Sequence, residues 1–324
     1  MSKRIATTIW TDEPSFDDAF LIDRRGVSVL EHVFNVFKAR HSYDIIILNG
    51  ALGATDKYVD LLAAIVLKLT FHRPFVVLAD CTWETGSRAL TNRFPKLARI
   101  MPILAGLMIK LVNHPRVRYC VLSSFEKENF STTWGVKNKQ VCFTPFGTTL
   151  FSKKIISSKS EDYIFSGGNS LRNYDLLVKA YEGISFPLKI ASSYTLKKLN
   201  PYVVCRPVSQ NIFFDEMAGS KIVITPLQNS NRSAGQQTYL NAMSLGKLVI
   251  VTDAPGVRDH IRHGETGIVT ENSVESLRSA IEWAINPKNE MEVKRISEAG
   301  QLDVLNRWTH QHYFRSLMSV AKSC

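Results

Sequence analysis

The chain has 324 residues, of which 45% are hydrophobic and 21% are charged. This composition excludes an intrinsically disordered chain and supplies enough apolar side chains for two domain cores. The formal net charge of +11 favours anionic partners such as nucleotides, nucleic acids or acidic membranes. The cysteines are far apart and form no CxxC pair, which indicates reduced thiols and argues against a structural zinc site.

The first half of the chain alternates apolar strands with helical segments. Strands are predicted at 5–10, 44–50, 74–80 and 119–124, and helices at 28–39 and 58–70. Continuous apolar strands separated by helices indicate a parallel sheet that is covered on both faces. No signal-peptide pattern follows the N-terminus, so we expect a cytoplasmic protein.

Acidic residues fall where two of these predicted strands end. Asp12 lies in the loop after the first strand, and Asp80 ends the strand at 74–80. Loops at the carboxyl ends of parallel strands line the ligand crevice of open α/β sheets. Either carboxylate could therefore act as a general base on an acceptor hydroxyl. The alternative for Asp80 is a cap on the next helix or a turn.

The segment 85–125 contains no acidic residue. Its cations are Arg88, Arg93, Lys96, Arg99, Lys110, Arg116 and Arg118. The apolar run at 100–109 is too short to span a bilayer, and Pro102 is expected to kink it. Basic flanks around an apolar helix suit an anionic membrane surface, so 88–118 is a candidate membrane contact. The alternative is a core helix with a basic polar face. The segment lacks interleaved aromatics, so we expect no specific nucleic-acid binding.

A Ser- and Lys-rich stretch at 152–162 is the predicted linker. It divides the chain into an N-terminal domain at 1–155 and a C-terminal domain at 156–305. A helix at about 306–324 is expected to pack back on the first domain.

The second domain begins with a strand that ends in paired glycines. Gly167 and Gly168 allow a tight turn and a close approach of the backbone to a ligand. Arg172 follows near the start of a helix, where an arginine can pair with a diphosphate. A surface arginine fits the same spacing.

A polar loop and a short helix at 233–247 lie between predicted strands at 221–227 and 248–252. The first N–H groups of such a helix and its positive end suit an anion, typically a phosphate. An ordinary connection between two strands is the alternative for this loop taken alone.

The order of these motifs resembles the GT-B fold glycosyltransferases, in particular the family-4-type group. The resemblance is carried by 164–168 with Arg172, by 233–247, and by the turns at 252–261 and 264–267. It implies an α/β protein of GT-B fold, with two Rossmann-like domains whose parallel sheets face a central cleft. It also implies transfer of a sugar from a nucleotide-sugar donor, UDP- or GDP-linked, to an acceptor hydroxyl.

The resemblance also assigns a donor site. Its residues are Gly167, Gly168, Arg172, Arg232, Ser233, Gly235, Gln236, Gln237, Thr238 and Asn241. The two glutamates of the family motif fall on Ser233 and Asn241, where Asn241 can still bond ribose and Ser233 could touch the sugar. The first of the family's two phosphate-binding cations falls on Gly167, and Arg232 could replace it.

The implied partners are a nucleotide-sugar and a lipid-linked or glycan acceptor of surface-polysaccharide synthesis at the inner face of the cell membrane. No metal ion or other cofactor is required if the helix end and Arg172 balance the diphosphate charge. An inverting reaction needs a base, Asp80 or Asp12, whereas a retaining one needs no side-chain nucleophile. A GT-B fold sugar-nucleotide epimerase and a non-catalytic binding protein are the alternatives.

Overall fold

The structure is a computed structural model that describes residues 3–51, 58–84, 101–150 and 161–324. The chain divides into two compact units, one formed by Met1–Pro145 with Gln311–Cys324 and the other by Phe146–His310. The division falls before the predicted boundary at residue 155. The reason is that Thr148 belongs to the second unit, where its backbone N–H donates to the Trp308 carbonyl over 2.7 Å.

The first unit contains a six-stranded parallel sheet in the order β2-β1-β3-β4-β5-β6. Its strands are β1 (Ile5–Thr7), β2 (Ala19–Leu21), β3 (Ile45–Asn49), β4 (Phe75–Ala79), β5 (Val117–Val121) and β6 (Val141–Phe143). The helices described before β6 are α1 (Val29–Ala39), α2 (Tyr58–Lys68), α3 (Met101–Val112) and α4 (Ser124–Trp134). Ile45, Ile46 and Ile47 of β3 are fully buried, as expected for a strand covered on both faces.

Pro102 lies within α3 (Met101–Val112), and residues 85–100 lie outside the described residues, so the kink at Pro102 stays a prediction.

The second unit contains another six-stranded parallel sheet, in the order β12-β11-β10-β7-β8-β9. Its strands are β7 (Ile164–Gly167), β8 (Leu188–Ala191), β9 (Val203–Arg206), β10 (Ile222–Thr225), β11 (Leu248–Thr252) and β12 (Ile268–Thr270). The helices that follow β7 are α5 (Tyr174–Ala180), α6 (Gln210–Gly219), α7 (Gln236–Ser244), α8 (Val257–His260), α9 (Val274–Ile285), α10 (Glu290–Arg307) and α11 (His310–Ser323). Both sheets are parallel and flanked by helices, so the predicted α/β class with two Rossmann-like sheets is confirmed.

The strand order of the second sheet is that of the doubly wound dinucleotide-binding fold. The chain moves outward from β7 through β8 to β9, then returns to the other side of β7 with β10. Ligands of this fold bind beyond the carboxyl ends of the strands at the point where the order reverses. In this unit that point lies between β7 and β10.

Two strands, β2 and β12, were not predicted from the sequence. Each has three residues and lies at an edge of its sheet. Three residues are too few to show the alternation that identifies a strand.

The last helix, α11, returns to the first unit. Its side chains Tyr313, Phe314 and Leu317 are buried. The Phe314 ring packs edge-on against that of Phe16, with centroids 4.6 Å apart.

Among the described residues, no helix has both the length and the apolar character needed to cross a membrane.

Candidate functional site

The carboxyl ends of β7 and β10 carry the loops that form the candidate site. These strands are direct neighbours, with Ile164 opposite Ile222 and Ser166 opposite Ile224. The loop after β7 runs from Gly167 to Arg172, and the loop after β10 leads into α7. Parallel pairing brings the ends of both strands to the same edge of the sheet, so the two loops meet there.

Two glycines let these loops close around Arg172. Gly168 has φ +99°, and a Cβ there would lie 2.8 Å from an Arg172 guanidinium nitrogen. Gly235 has φ +78°, and a Cβ there would lie 2.9 Å from Leu227 and 3.5 Å from the guanidinium. Both positions therefore need glycine for backbone conformation and for space. A side chain at Gly168 would displace Arg172 directly.

Arg172 is held by neutral oxygen atoms of the protein. Its Nε donates to the Gly167 carbonyl over 3.0 Å, and a terminal nitrogen donates to the Ser170 carbonyl over 2.7 Å. The other terminal nitrogen donates to the Thr238 hydroxyl over 3.0 Å. Leu171, with φ +52°, adopts a conformation that non-glycine residues rarely take. Such strain persists where the surrounding structure requires it, and here it precedes Arg172 directly.

The charge of Arg172 has no carboxylate partner among the described residues, although only 9% of the residue is exposed. Burial lowers the pKa of Arg172 below its ordinary value; Tyr174 opposes this shift, and the nearby charge of Arg232 adds to it. An arginine remains protonated in spite of such shifts. A buried charge without a counter-ion is costly, so the arrangement favours an anionic ligand. The alternative of a surface arginine is wrong, since Arg172 is buried.

Arg232 joins Arg172 through Ser170. The Ser170 carbonyl accepts from Arg172, and its hydroxyl accepts from Arg232 over 2.9 Å. A second Arg232 nitrogen donates to the Ser233 carbonyl over 2.9 Å. Two guanidinium groups are thus tied to one serine at the edge of the sheet, and the phosphate-binding role of Arg232 stays a prediction. No sequence pattern indicated the bridging role of Ser170.

The N-terminus of α7 adjoins these arginines. Gly235 is the N-cap residue and offers no side chain, and its carbonyl accepts from the N–H groups of Thr238 and Tyr239. Gln236 and Thr238 are buried, whereas Gln237 is exposed. The helix start carries the positive end of the peptide dipoles, which adds to the arginine charges. The Thr238 hydroxyl holds Arg172 in place, which couples the helix to the guanidinium.

The two positions that replace the family glutamates have different surroundings. Ser233 is buried, with 1% exposed, beside Arg232. Asn241 is fully buried, and its amide oxygen accepts from the Thr148 hydroxyl over 2.8 Å and from the Thr149 N–H over 2.9 Å. Its amide nitrogen donates to the Thr149 hydroxyl over 3.0 Å. Asn241 thus connects the segment at 148–149 to α7 by hydrogen bonds. To contact a ribose, the Asn241 amide would have to replace hydrogen bonds to Thr148 or Thr149 with bonds to the ribose.

The predicted catalytic acids belong to the first unit. Asp80 directly follows β4 and has φ +60°, and Asp12 is exposed in the loop after β1. Both lie toward the carboxyl edge of the first sheet, as predicted from strand ends. The left-handed backbone of Asp80 is a conformation that Asp adopts more readily than most residues, and it is enriched at functional sites.

A buried polar cluster at the same sheet edge was missed by the sequence analysis. The Asp60 carboxylate accepts from the Thr8 hydroxyl over 2.6 Å and from the Asn49 N–H over 2.8 Å. Its other oxygen lies 2.7 Å from His32 Nε2, and both side chains are at most 2% exposed. The cluster joins the ends of β1 and β3. No motif spacing connects Thr8, His32 and Asp60, so only the fold reveals it.

The predictions of a basic membrane contact at 88–118 and of no metal requirement concern residues that the structure describes only in part. Residues 85–100, which hold part of the basic segment at 88–118, lie outside the described residues. Within the described ranges, no group of three or more His, Cys, Asp or Glu side chains could hold a metal ion.

Comparison with known proteins identifies the class. Residues 174–286 match the family model described as glycosyl transferases group 1. A glycosyltransferase from Rickettsia africae is 14% identical with a TM-score of 0.62, and the match covers 98% of this chain and 89% of that one. Sucrose-phosphate synthase from Thermosynechococcus elongatus is 13% identical with a TM-score of 0.65, covering 96% and 82%. No curated protein sequence matches the chain.

A further similar structure is HepE from Anabaena, solved in complex with UDP and glucose. It is 14% identical with a TM-score of 0.67, and the match covers 91% of this chain and 82% of that one. At these identities the structures establish the GT-B fold. Residues 174–286, within the second unit, match the glycosyl transferases group 1 family, as the resemblance of this half of the chain implied.

The structure predicts that Asn241 stabilises the second unit. Replacing it by Ala removes the acceptor of the Thr149 N–H and leaves buried polar groups without partners. We expect Asn241→Ala to lower the free energy of unfolding by about 2–4 kcal/mol, measured by urea denaturation. Asn306→Ala on the exposed face of α10 is the matched control and should change it by less than about 0.5 kcal/mol. Equal stability of the two variants would show that the contacts of Asn241 are not structural.

Proposed function

We propose that the chain transfers a sugar from a nucleoside diphosphate sugar, UDP- or GDP-linked, to an acceptor hydroxyl. The observation that carries this proposal is the buried Arg172, which is held by neutral oxygens and joined to Arg232 at the start of α7. Two cations and a helix N-terminus at the reversal point of a doubly wound sheet suit a diphosphate.

In this proposal each component of the site has a defined role. Backbone N–H groups at 235–237 and the two guanidinium groups bind the diphosphate oxygens. When the bond between the sugar C1 and the diphosphate oxygen breaks, negative charge develops on that leaving oxygen. Groups already positioned around it stabilise the transition state without reorganisation. The charge balance is met by the protein's own residues, so we expect no metal requirement.

UDP is the favoured nucleotide for a first test. HepE is solved with UDP-glucose as well as with UDP and glucose. The match to this HepE structure, which contains UDP, covers 91% of the chain. At 14% identity this supports a choice of probe, and a GDP-linked donor remains the second arm of the test.

The acceptor side is proposed for the first unit. In an inverting reaction, the Asp80 carboxylate would take the proton of the acceptor hydroxyl, whose oxygen forms a new bond to C1 as the diphosphate leaves. Asp12 is the second candidate for this base. In a retaining reaction, the leaving phosphate itself can take that proton, and no side-chain nucleophile is needed.

A lipid-linked or polysaccharide-precursor acceptor at a membrane surface is the proposed acceptor class. Its support is the excess of positive charge in the chain and in the segment at 88–118. Membrane-bound acceptors would place the protein peripherally on the inner face of the cell membrane.

Arg232 provides a direct test of the donor site. We expect Arg232→Gln to weaken UDP binding about 10- to 100-fold in calorimetry, because a charge-assisted hydrogen bond to the diphosphate is lost. Arg295→Gln is the matched control, since Arg295 pairs with Glu292 on the exposed face of α10. Failure of the unaltered protein to bind any of UDP, GDP or ADP would refute the donor assignment.

Asp80 provides a test of the acceptor side. Asn tolerates the left-handed backbone of Asp80 as well as Asp does, so Asp80→Asn should leave the fold intact. For an inverting reaction we expect it to lower kcat by at least about 100-fold with unchanged UDP binding. Full activity would remove Asp80 from the mechanism, and Asp12→Asn would then be assayed in the same way.

Product analysis with donor alone separates the remaining functions. A change in sugar configuration without an acceptor would indicate an epimerase instead of a transferase. Nucleotide binding without turnover of any donor–acceptor pair would indicate a binding protein that has lost catalysis, which the absence of acids at Ser233 and Asn241 makes worth testing.

A further inference from the structure

A cavity with basic lining residues lies on the first unit, at the opposite edge of its sheet from Asp12 and Asp80. A cavity of about 640 Å³ opens there, next to the residues that precede the strands. Asp44 immediately precedes β3, Pro74 precedes β4, and Arg116 precedes β5. The cavity therefore belongs to the amino edge of the sheet, and it is separate from the predicted acceptor residues at the carboxyl edge.

The lining of this cavity is strongly basic. We name it the amino-edge pocket, defined by Lys3, Arg40, Arg73, Arg116 and Phe71. None of these four cations is paired with a carboxylate in the described part of the chain. Asp44 is the one acidic lining residue, and it accepts from the backbone N–H of Arg4 over 2.9 Å.

The arginines of the pocket are positioned by neutral groups. Arg73 Nε donates to the Thr70 carbonyl over 2.6 Å, and a terminal Arg73 nitrogen lies 2.9 Å from the His114 ring. Arg116 donates to the Arg73 carbonyl over 2.5 Å. These contacts fix the side chains but leave their positive charges uncompensated. The pocket therefore suits an anion, because an arginine has five N–H donors and these contacts use only some of those of Arg73 and Arg116.

Apolar side chains lie exposed beside these cations. Phe71 lines the pocket and is fully exposed, and Leu69 is 77% exposed. Lys68 Nζ donates to the Leu111 carbonyl over 2.8 Å, so the end of α3 contacts the end of α2, which precedes Phe71 by three residues. Leu107 and Leu111 of α3 are about half exposed. Exposed aromatic and aliphatic side chains among uncompensated cations are typical of surfaces that enter the headgroup region of a bilayer.

We infer that the amino-edge pocket binds the phosphate headgroup of an anionic lipid, while Phe71 and Leu69 insert between neighbouring headgroups. Charge complementarity selects an anionic surface, and the exposed apolar rim selects a bilayer over a free anion. A free phosphate would use the cations but not the rim. This inference does not depend on the donor site, because all of its residues belong to the first unit.

Vesicle binding tests the inference. The full chain is cosedimented with vesicles of phosphatidylcholine alone and with vesicles that also contain phosphatidylglycerol, and inorganic phosphate is titrated separately by calorimetry. We expect binding only to the anionic vesicles. Lys3→Gln with Arg73→Gln should weaken it about fivefold for each charge removed. Phe71→Ser should reduce vesicle binding by a similar factor and leave phosphate binding unchanged.

The matched control is Lys198→Gln with Leu199→Ser, which removes an exposed lysine and a leucine that is 92% exposed on the second unit. It should bind vesicles like the unaltered chain. Equal loss in the control, or no loss with Phe71→Ser, would overturn the docking surface. Phosphate binding without vesicle binding would assign the pocket to a free anion, and preference for an oligonucleotide over anionic vesicles would assign it to nucleic acid. UDP binding is measured on the same Lys3 and Arg73 variant. If UDP binding persists, a loss of vesicle binding is a property of the amino-edge pocket and not of the donor site.

Discussion

The charge of a buried guanidinium needs a counter-charge, and Arg172 finds only neutral oxygens within the protein. Several other features of the second unit are arranged around this group. Gly168 and Gly235 give it space, Leu171 adopts a strained backbone beside it, and Thr238 ties it to α7. Such an arrangement costs stability in the unliganded chain. A diphosphate that binds there would return part of this cost as binding free energy.

The order of strands determines where this arginine lies. The reversal between β7 and β10 places the loops that follow these two strands side by side at the carboxyl edge of the sheet. In the loop after β7, Gly168 precedes Arg172, and in the loop after β10, Gly235 precedes Thr238. The position of the candidate site is therefore a property of the topology, while the anion preference that we propose for it would come from Arg172, Arg232 and the start of α7.

Local sequence was sufficient to predict the parts of the fold that repeat a local pattern. The strands around 45–49 and 248–252 are continuous apolar runs, and Gly167, Gly168 and Arg172 could be found from a strand end followed by a helix start. Three-residue edge strands such as β2 carry no such pattern. The contacts of Asn241 with Thr149, and those of Asp60 with His32, join residues far apart in the chain. Their partners are set by tertiary packing, which local spacing does not encode. The amino-edge pocket was hidden for the same reason.

The most direct test of the central claim is a crystal structure of the chain with bound UDP. We predict a diphosphate within hydrogen-bond distance of the Arg172 guanidinium and of the N–H groups at 235–237, with Arg232 on the same phosphate oxygens. The Thr238 contact of Arg172 should persist, since it orients the guanidinium toward the ligand. UDP bound at another place, with Arg172 still contacting only Gly167, Ser170 and Thr238, would contradict it.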